Sequence, residues 1–155
     1  MDPDDIINFH TSQSSKDIAK SKIERDLLQI KNNTVVNKTP EEQAKCVIYV
    51  RNYGEAGAID YFGKKYGLPD ALCGHNNYWL WGPGEKTGDV AIILGTSRSL
   101  QDNLNDLQRA YKQVEPSFTT NCTLCMPYEN GRQFFICRGM KTTFQKLWAG
   151  ERHYI

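Results

Sequence analysis

The sequence has no excess of either charge, no long apolar run and little histidine or cysteine, and each lack removes a class of function. Lysine plus arginine number 19 against 18 aspartate plus glutamate, scattered along 155 residues. A nucleic-acid binder needs a clustered basic face, so nucleic acid is set aside as a partner. A membrane helix needs about 20 predominantly apolar residues, whereas the longest apolar runs here are Val47 to Val50 and Val90 to Leu94. The first residues, Met1-Asp2-Pro3-Asp4-Asp5, are acidic where a secretory signal is basic and then apolar. A location outside the cytoplasm would therefore imply a fragment or a processed form. Five cysteines are an odd number and too few for a disulfide-dominated scaffold of this length. Only His10, His75 and His153 are available for acid–base work, and no Ser-His-Asp or Cys-His signature accompanies them. Alone, the chain is expected to carry out no reaction.

What is present suits a single soluble domain. The apolar fraction of 39% and charged fraction of 24% are ordinary, and the length leaves room for one core. Residues 1–15 are polar and aperiodic and are expected to be a disordered lead or a cloning remnant, leaving 16–155 as one α/β domain. Ile18, Ile23, Leu27 and Ile30 space an amphipathic helix from Lys16 to Ile30. Thr39 before Pro40-Glu41-Glu42 reads as a capped helix start. Cys46 to Val50 is a strand apolar enough to be buried on both faces. Asn52 then caps a helix with Glu55 at its third position, a capping box, and that helix ends at Gly67. Ala71 to Cys73 is a short strand, Gly74 to Gly88 a loop, and Asp89 to Gly95 a second buried strand. A helix capped by Ser97 or Ser99 runs to about Tyr111. Phe118 to Leu124 reads as an edge strand, turned at Glu129-Asn130-Gly131-Arg132 into Phe134 to Arg138, and Thr142 to Trp148 closes the chain as a helix. The alternation predicts an α/β three-layer sandwich, with a mostly parallel central sheet and an antiparallel hairpin at one edge.

Gly74-His75-Asn76-Asn77-Tyr78-Trp79-Leu80-Trp81-Gly82-Pro83 carries the most chemical information. Open α/β sheets bind ligands at the carboxyl ends of their strands, and the Asn52-Tyr53-Gly54-Glu55 turn opens onto the same rim. Asn52, Tyr53, Glu55, His75, Asn76, Asn77, Tyr78, Trp79 and Trp81 are thus the candidate ligand-binding residues. Carbohydrate fits this mixture: a sugar's apolar face stacks on an indole or phenol ring, and its hydroxyls need paired amide and carboxylate partners. The competing reading is packing, with the tryptophans plugging the end of the sheet and the asparagines bonding their own loop. Glu55 has a purely local alternative too, the capping box. A phosphate at this Gly-containing helix start would meet the Glu55 charge, and neither nucleotide-loop glycine pattern is present. His75 with Glu55 is the one credible acid–base pair.

Cys122-Thr123-Leu124-Cys125 has the spacing of a metal or redox motif. A structural zinc needs four ligands, which only Cys137 and the distant His153 could complete, and Pro127 and a turn stand where a redox helix would begin. No metal or cofactor is therefore expected. Cys125 and Cys137 flank the hairpin turn, where a disulfide is feasible if the register allows it. Asn-x-Ser/Thr triplets begin at Asn32, Asn37 and Asn121 and matter only on a glycosylating route.

Three strings, Asn52 to Ile59, Lys65 to Pro69 and Gly74 to Pro83, together with Cys125-Met126-Pro127-Tyr128-Glu129-Asn130 and Ile136-Cys137-Arg138-Gly139, look like the C-terminal soluble module of bacterial membrane glycosyltransferases. These enzymes resemble dolichyl-phosphate-mannose–protein mannosyltransferases and lipid A aminoarabinose transferases. The likeness covers about two-thirds of the chain, in order and with similar spacing, and leaves Ile6 to Asn37 outside it. It implies a polytopic enzyme that takes a sugar from a polyprenyl-phosphate donor, with this module on the extracytoplasmic face of the plasma membrane. In such enzymes the catalytic carboxylate lies in a loop of the membrane part, so no catalytic residue carries over. Implied partners are the membrane domain of the same parent chain and a carbohydrate or glycan acceptor. With the hairpin spacing, the extracytoplasmic setting also implies a Cys125–Cys137 bridge. Three roles remain open: a non-catalytic module that assists acceptor or sugar binding, a structural cap on the membrane domain or an oligomer partner, and a free-standing enzyme using His75 and Glu55.

Overall fold

The structure, a computed structural model, describes residues 24–32, 39–121, 127 and 130–154. The expected lead, the start of the first helix, and Cys122 and Cys125 lie outside the described residues. Residues 24–32 are helical (α1) and bury Leu27 and Ile30, the last two apolar positions of the predicted stripe. α2 (Pro40–Lys45) starts as its sequence dictates: Thr39 Oγ1 accepts from the Glu42 N–H, and Glu42 accepts from the Thr39 N–H. β1 (Cys46–Tyr49) follows directly. α3 (Tyr53–Phe62) has the expected Asn52–Glu55 capping box and continues as a 3-10 turn, Gly63–Tyr66. Gly67 ends it at φ 69°, a left-handed conformation that glycine adopts without a Cβ penalty.

β2 (Ala71–Leu72) leads to α4 (Tyr78–Trp81), a single helical turn inside the stretch expected to be loop throughout. β3 (Val90–Leu94) is buried along its whole length, and α5 (Leu100–Ala110) takes Ser99 as its cap. β4 (Tyr111–Thr119) and β5 (Gln133–Met140) form the antiparallel pair, and α6 (Phe144–Glu151) closes the chain. The strand order is β2-β1-β3-β5-β4. β1 runs parallel to β2 and β3, while β5 runs antiparallel to β3 and β4.

The sheet is therefore mixed, with its longer ladders antiparallel, in place of the mostly parallel sheet expected. The difference has two sources: β5 lies antiparallel against the central strand β3, and β4 begins at Tyr111, straight after α5, instead of at Phe118, which lengthens its ladder with β5. As an edge strand it has one neighbour, and its exposed Lys112, Gln113, Glu115 and Pro116 disguise it as loop. Charges and proline are what blunt an edge against pairing with another chain.

Alternation along β1 divides the core. Ile48 and Val50 pack with Leu27 and Ile30 of α1 and Ala56 and Ile59 of α3. Val47 and Tyr49 pack with Tyr111, Phe144 and Trp148, and α5 adds Leu104 and Leu107. Among the described residues, no helix is long and apolar enough to cross a membrane.

Candidate functional site

The parallel strands β1, β2 and β3 send their carboxyl ends to one side, and the turns that follow carry the candidate residues. After β1, Asn52 Oδ1 accepts from the Gly54 N–H at 2.7 Å, and the Asn52 N–H donates to Glu55 Oε2 at 3.3 Å. The other carboxylate oxygen, Oε1, is ion-paired with Nη1 of Arg132. Arg132 is 8% exposed, and its Nε and Nη2 donate to the Gly95 carbonyl just past β3, at 2.9 and 2.7 Å. Burial pushes the Glu55 carboxyl above its ordinary range, against the pull of Arg132 and the Asn52 N–H. This pair bridges the ends of β1 and β3, where the strand order reverses direction and open sheets usually bind ligands. The phosphate reading is disfavoured because the donors of this turn are already engaged: the Asn52 N–H by Glu55, the Gly54 N–H by Asn52, and the Arg132 guanidinium by Glu55 and the Gly95 carbonyl. In the sequence Arg132 reads only as a turn residue, because its partner lies 77 positions away.

His75, after β2, is buried. Its Nδ1 accepts from the Tyr53 N–H at 3.3 Å, which places the proton of the neutral ring on Nε2. That Nε2 is buried without a hydrogen-bond partner among the described residues. The ring stacks on His153 at 4.8 Å and 14°, and the Tyr53 ring lies 5.1 Å away. Burial first, and then His153, lowers the His75 pKa below its usual value. The chain end is held here by the backbone: His153 N–H donates to the Gly74 carbonyl, and Asn76 N–H to the His153 carbonyl. The approach is close enough that a Cβ on Gly74 would lie 2.1 Å from the Glu151 carbonyl oxygen. Glu55 thus commits both carboxylate oxygens to Asn52 and Arg132, while His75 commits Nδ1 to the Tyr53 N–H and keeps Nε2 buried without a partner among the described residues. The proposed acid–base pair gains no support from the geometry.

The Trp-rich turn divides between the two faces of the sheet. Tyr78 Oη donates to Asp60 of α3 at 2.9 Å, and the second Asp60 oxygen accepts from the Ala71 N–H at 2.7 Å. Trp79 Nε1 donates to the Trp148 carbonyl of α6, and Trp148 Nε1 donates to the Trp79 carbonyl, both at 2.8 Å. The Arg152 guanidinium lies over the Trp79 ring at 4.6 Å. With β2 at the sheet edge, α4 clasps α3 to α6 across that edge. Trp81 and Leu80 project outward, 70% and 68% exposed, with Trp81 edge-on to Tyr78 at 4.6 Å. Asn76 adopts a positive φ of 52°, and Asn77 is exposed at the start of α4 without a side-chain cap bond.

The expected convergence is therefore partial. Asn52, Tyr53 and His75 are joined through the Asn52 turn, and Glu55 shares its capping box. Tyr78 and Trp79 are spent on packing, and Trp81 faces outward. Trp148, Asp60 and Arg132 complete the arrangement and carry no local sequence signal. Of the candidate disulfide, Cys125 lies outside the described residues, while Cys137 is fully buried in β5 between Ala91 and Val114. Among the described residues no cluster of His, Cys, Asp and Glu is arranged to hold a metal ion. No protein-family model, no curated protein and no solved structure matches the chain.

Proposed function

We propose that this chain is a non-catalytic, extracytoplasmic module of a membrane-bound glycosyltransferase that uses a polyprenyl-phosphate sugar donor, and that it acts by docking on the membrane part. The family reading rests on the resemblance of the strings from Asn52 to Gly139. The two core clusters, one served by α1 and α3 and the other by α5 and α6, support the three-layer sandwich read from the alternation of strands and helices.

The observation that carries the docking role is the division of labour within α4. Tyr78 and Trp79 are anchored to α3 and α6, and this rigid mounting presents Leu80 and Trp81 to the outside. Two large apolar side chains held out by a pinned turn form a natural contact patch, since aromatic residues dominate interface energetics. A sugar-stacking role needs an open ring face. Trp79 has Arg152 over it and packs into the core, so an acceptor-binding reading rests on the exposed ring of Trp81 instead.

Replacing Trp81 with a photo-crosslinking residue in the native host tests the proposal. Crosslinks to a polytopic membrane partner are expected. Sugar transfer from a polyprenyl-phosphate sugar by the isolated chain, or crosslinks confined to soluble partners, would overturn it.

A further inference from the structure

His153, in the segment that follows α6, sets both ring nitrogens against backbone carbonyls. Nδ1 lies 2.9 Å from the Glu151 carbonyl oxygen, and Nε2 lies 2.7 Å from the Arg51 carbonyl oxygen, just past β1. A carbonyl oxygen only accepts, whereas a neutral imidazole has one N–H and one acceptor nitrogen. Both contacts are hydrogen bonds only when both nitrogens carry protons, which is the charged ring. In the neutral ring, one nitrogen lone pair faces a carbonyl lone pair.

The neighbouring imidazole has the opposite requirement. His75 Nδ1 must stay unprotonated to accept from the Tyr53 N–H. The two rings are stacked at 4.8 Å, a separation at which a second charge is disfavoured by the first. The pair therefore has room for one proton, and its place is on His153, which is half-buried while His75 is buried. The other ionisable groups around the pair have their own contacts. The Glu151 carboxylate accepts from Tyr49 Oη, the Arg51 guanidinium lies over the Tyr49 ring, and Cys73 Sγ accepts from the His75 N–H. The Arg152 guanidinium lies over the rings of Trp79 and Tyr154 at 4.6 and 5.0 Å, and the Tyr53 ring lies against His75.

We infer that His153 is a proton-operated latch: its charged ring fastens the closing segment to the ends of β1 and β2, and loss of that proton loosens it. The same segment is tied to the turn after β2 by the backbone, from His153 N–H to the Gly74 carbonyl and from Asn76 N–H to the His153 carbonyl. Through Arg152 over Trp79, the latch also steadies α4. Closing takes up a proton at His153, so closure strengthens as the pH falls into the histidine range. Further acidification charges His75, which breaks its bond to Tyr53 and sets two charges face to face. The segment is thus tightest within a window of pH and loosens on either side. The latch does not depend on the docking role of Trp81.

The test is NMR of the whole chain across about pH 5 to 8, the range in which histidine titrates. Ring nitrogen shifts report the protonation of each histidine, and amide protection factors at Asn76 and His153 report closure. The expected result is a doubly protonated His153 beside a neutral His75 where protection is greatest. Protection should be about tenfold lower once His153 is neutral, the scale of one charge-assisted hydrogen bond. His153→Phe, which keeps an aromatic ring against His75 without the donors, should hold protection at the lower level and abolish the alkaline-side loss. A neutral His153 ring at maximal protection, or an alkaline-side loss that persists in His153→Phe, would overturn the assignment.

Discussion

Trp79 and Trp148 exchange hydrogen bonds reciprocally: each indole N–H donates to the other residue's backbone carbonyl at 2.8 Å. The two residues are 69 positions apart, so the contact joins the turn after β2 to the closing helix. Both indoles thus have their polar atom satisfied, with Trp148 buried in the core and Trp79 half-buried against it. The same pair, with Tyr78 on Asp60, makes α4 a clasp over the β2 edge and decides which of its aromatics remain outside.

The Glu55–Arg132 pair sets a first expectation. Removing one partner of a buried ion pair leaves the other charge uncompensated, at a cost of about 3–5 kcal/mol. Arg132→Ala should lose that much, because it strands Glu55 and removes the donors to the Gly95 carbonyl. Glu55→Gln should cost less: glutamine still serves a capping box, and burial already favours the neutral carboxyl. Urea unfolding of both variants checks the order, and equal losses would contradict it.

His75 sets the pH dependence. Its folded-state pKa lies below the ordinary value of 6.5 because burial and His153 disfavour the charged ring. On acidification the unfolded chain takes the proton first. The stability that depends on neutral His75 is therefore complete above about pH 6.5 and is lost as the pH falls through the lower folded value. His75→Asn, whose amide oxygen can replace Nδ1 as acceptor for the Tyr53 N–H, should flatten this part of the stability–pH curve. An unchanged slope between pH 7 and 5 would exclude His75 as its source.

Gly74 offers a steric test. A Cβ there would meet the Glu151 carbonyl oxygen at 2.1 Å, and backbone cannot yield as a side-chain tip can. Gly74→Ala should expel the chain end and release the His153 contacts, detected as faster amide exchange at Asn76 and His153. Protection equal to the parent chain would show that the closing segment is held elsewhere.

What could be read from the sequence was local. The Thr39 cap was legible from the proline and acidic residues that follow it, and the Asn52 cap from its glutamate three residues on. β1 and β3 were legible because continuous apolar runs have few alternatives once both faces are buried. β4 was hidden by its edge position, since Lys112, Gln113 and Glu115 are exposed and Pro116 reads as a break. The candidate site was half visible: Asn52, Tyr53, Glu55 and His75 lie at neighbouring strand ends, as the topology requires. Whether Trp79 stacks on a ligand or packs on protein depended on Trp148, and whether Glu55 was available depended on Arg132. Neither partner has a sequence spacing that announces it.

Trp79 anchors the turn to the closing helix while Trp81 faces outward, and paired urea unfolding of Trp79→Ala and Trp81→Ala separates the two roles. Core tryptophan truncation costs about 3–5 kcal/mol, whereas a surface change away from such contacts stays within about 0.5 kcal/mol. The first loss is expected for Trp79→Ala and the second for Trp81→Ala, with sugar titration unaffected by the Trp79 change in any molecules that remain folded. A Trp79→Ala protein as stable as the parent that has lost sugar binding would contradict it.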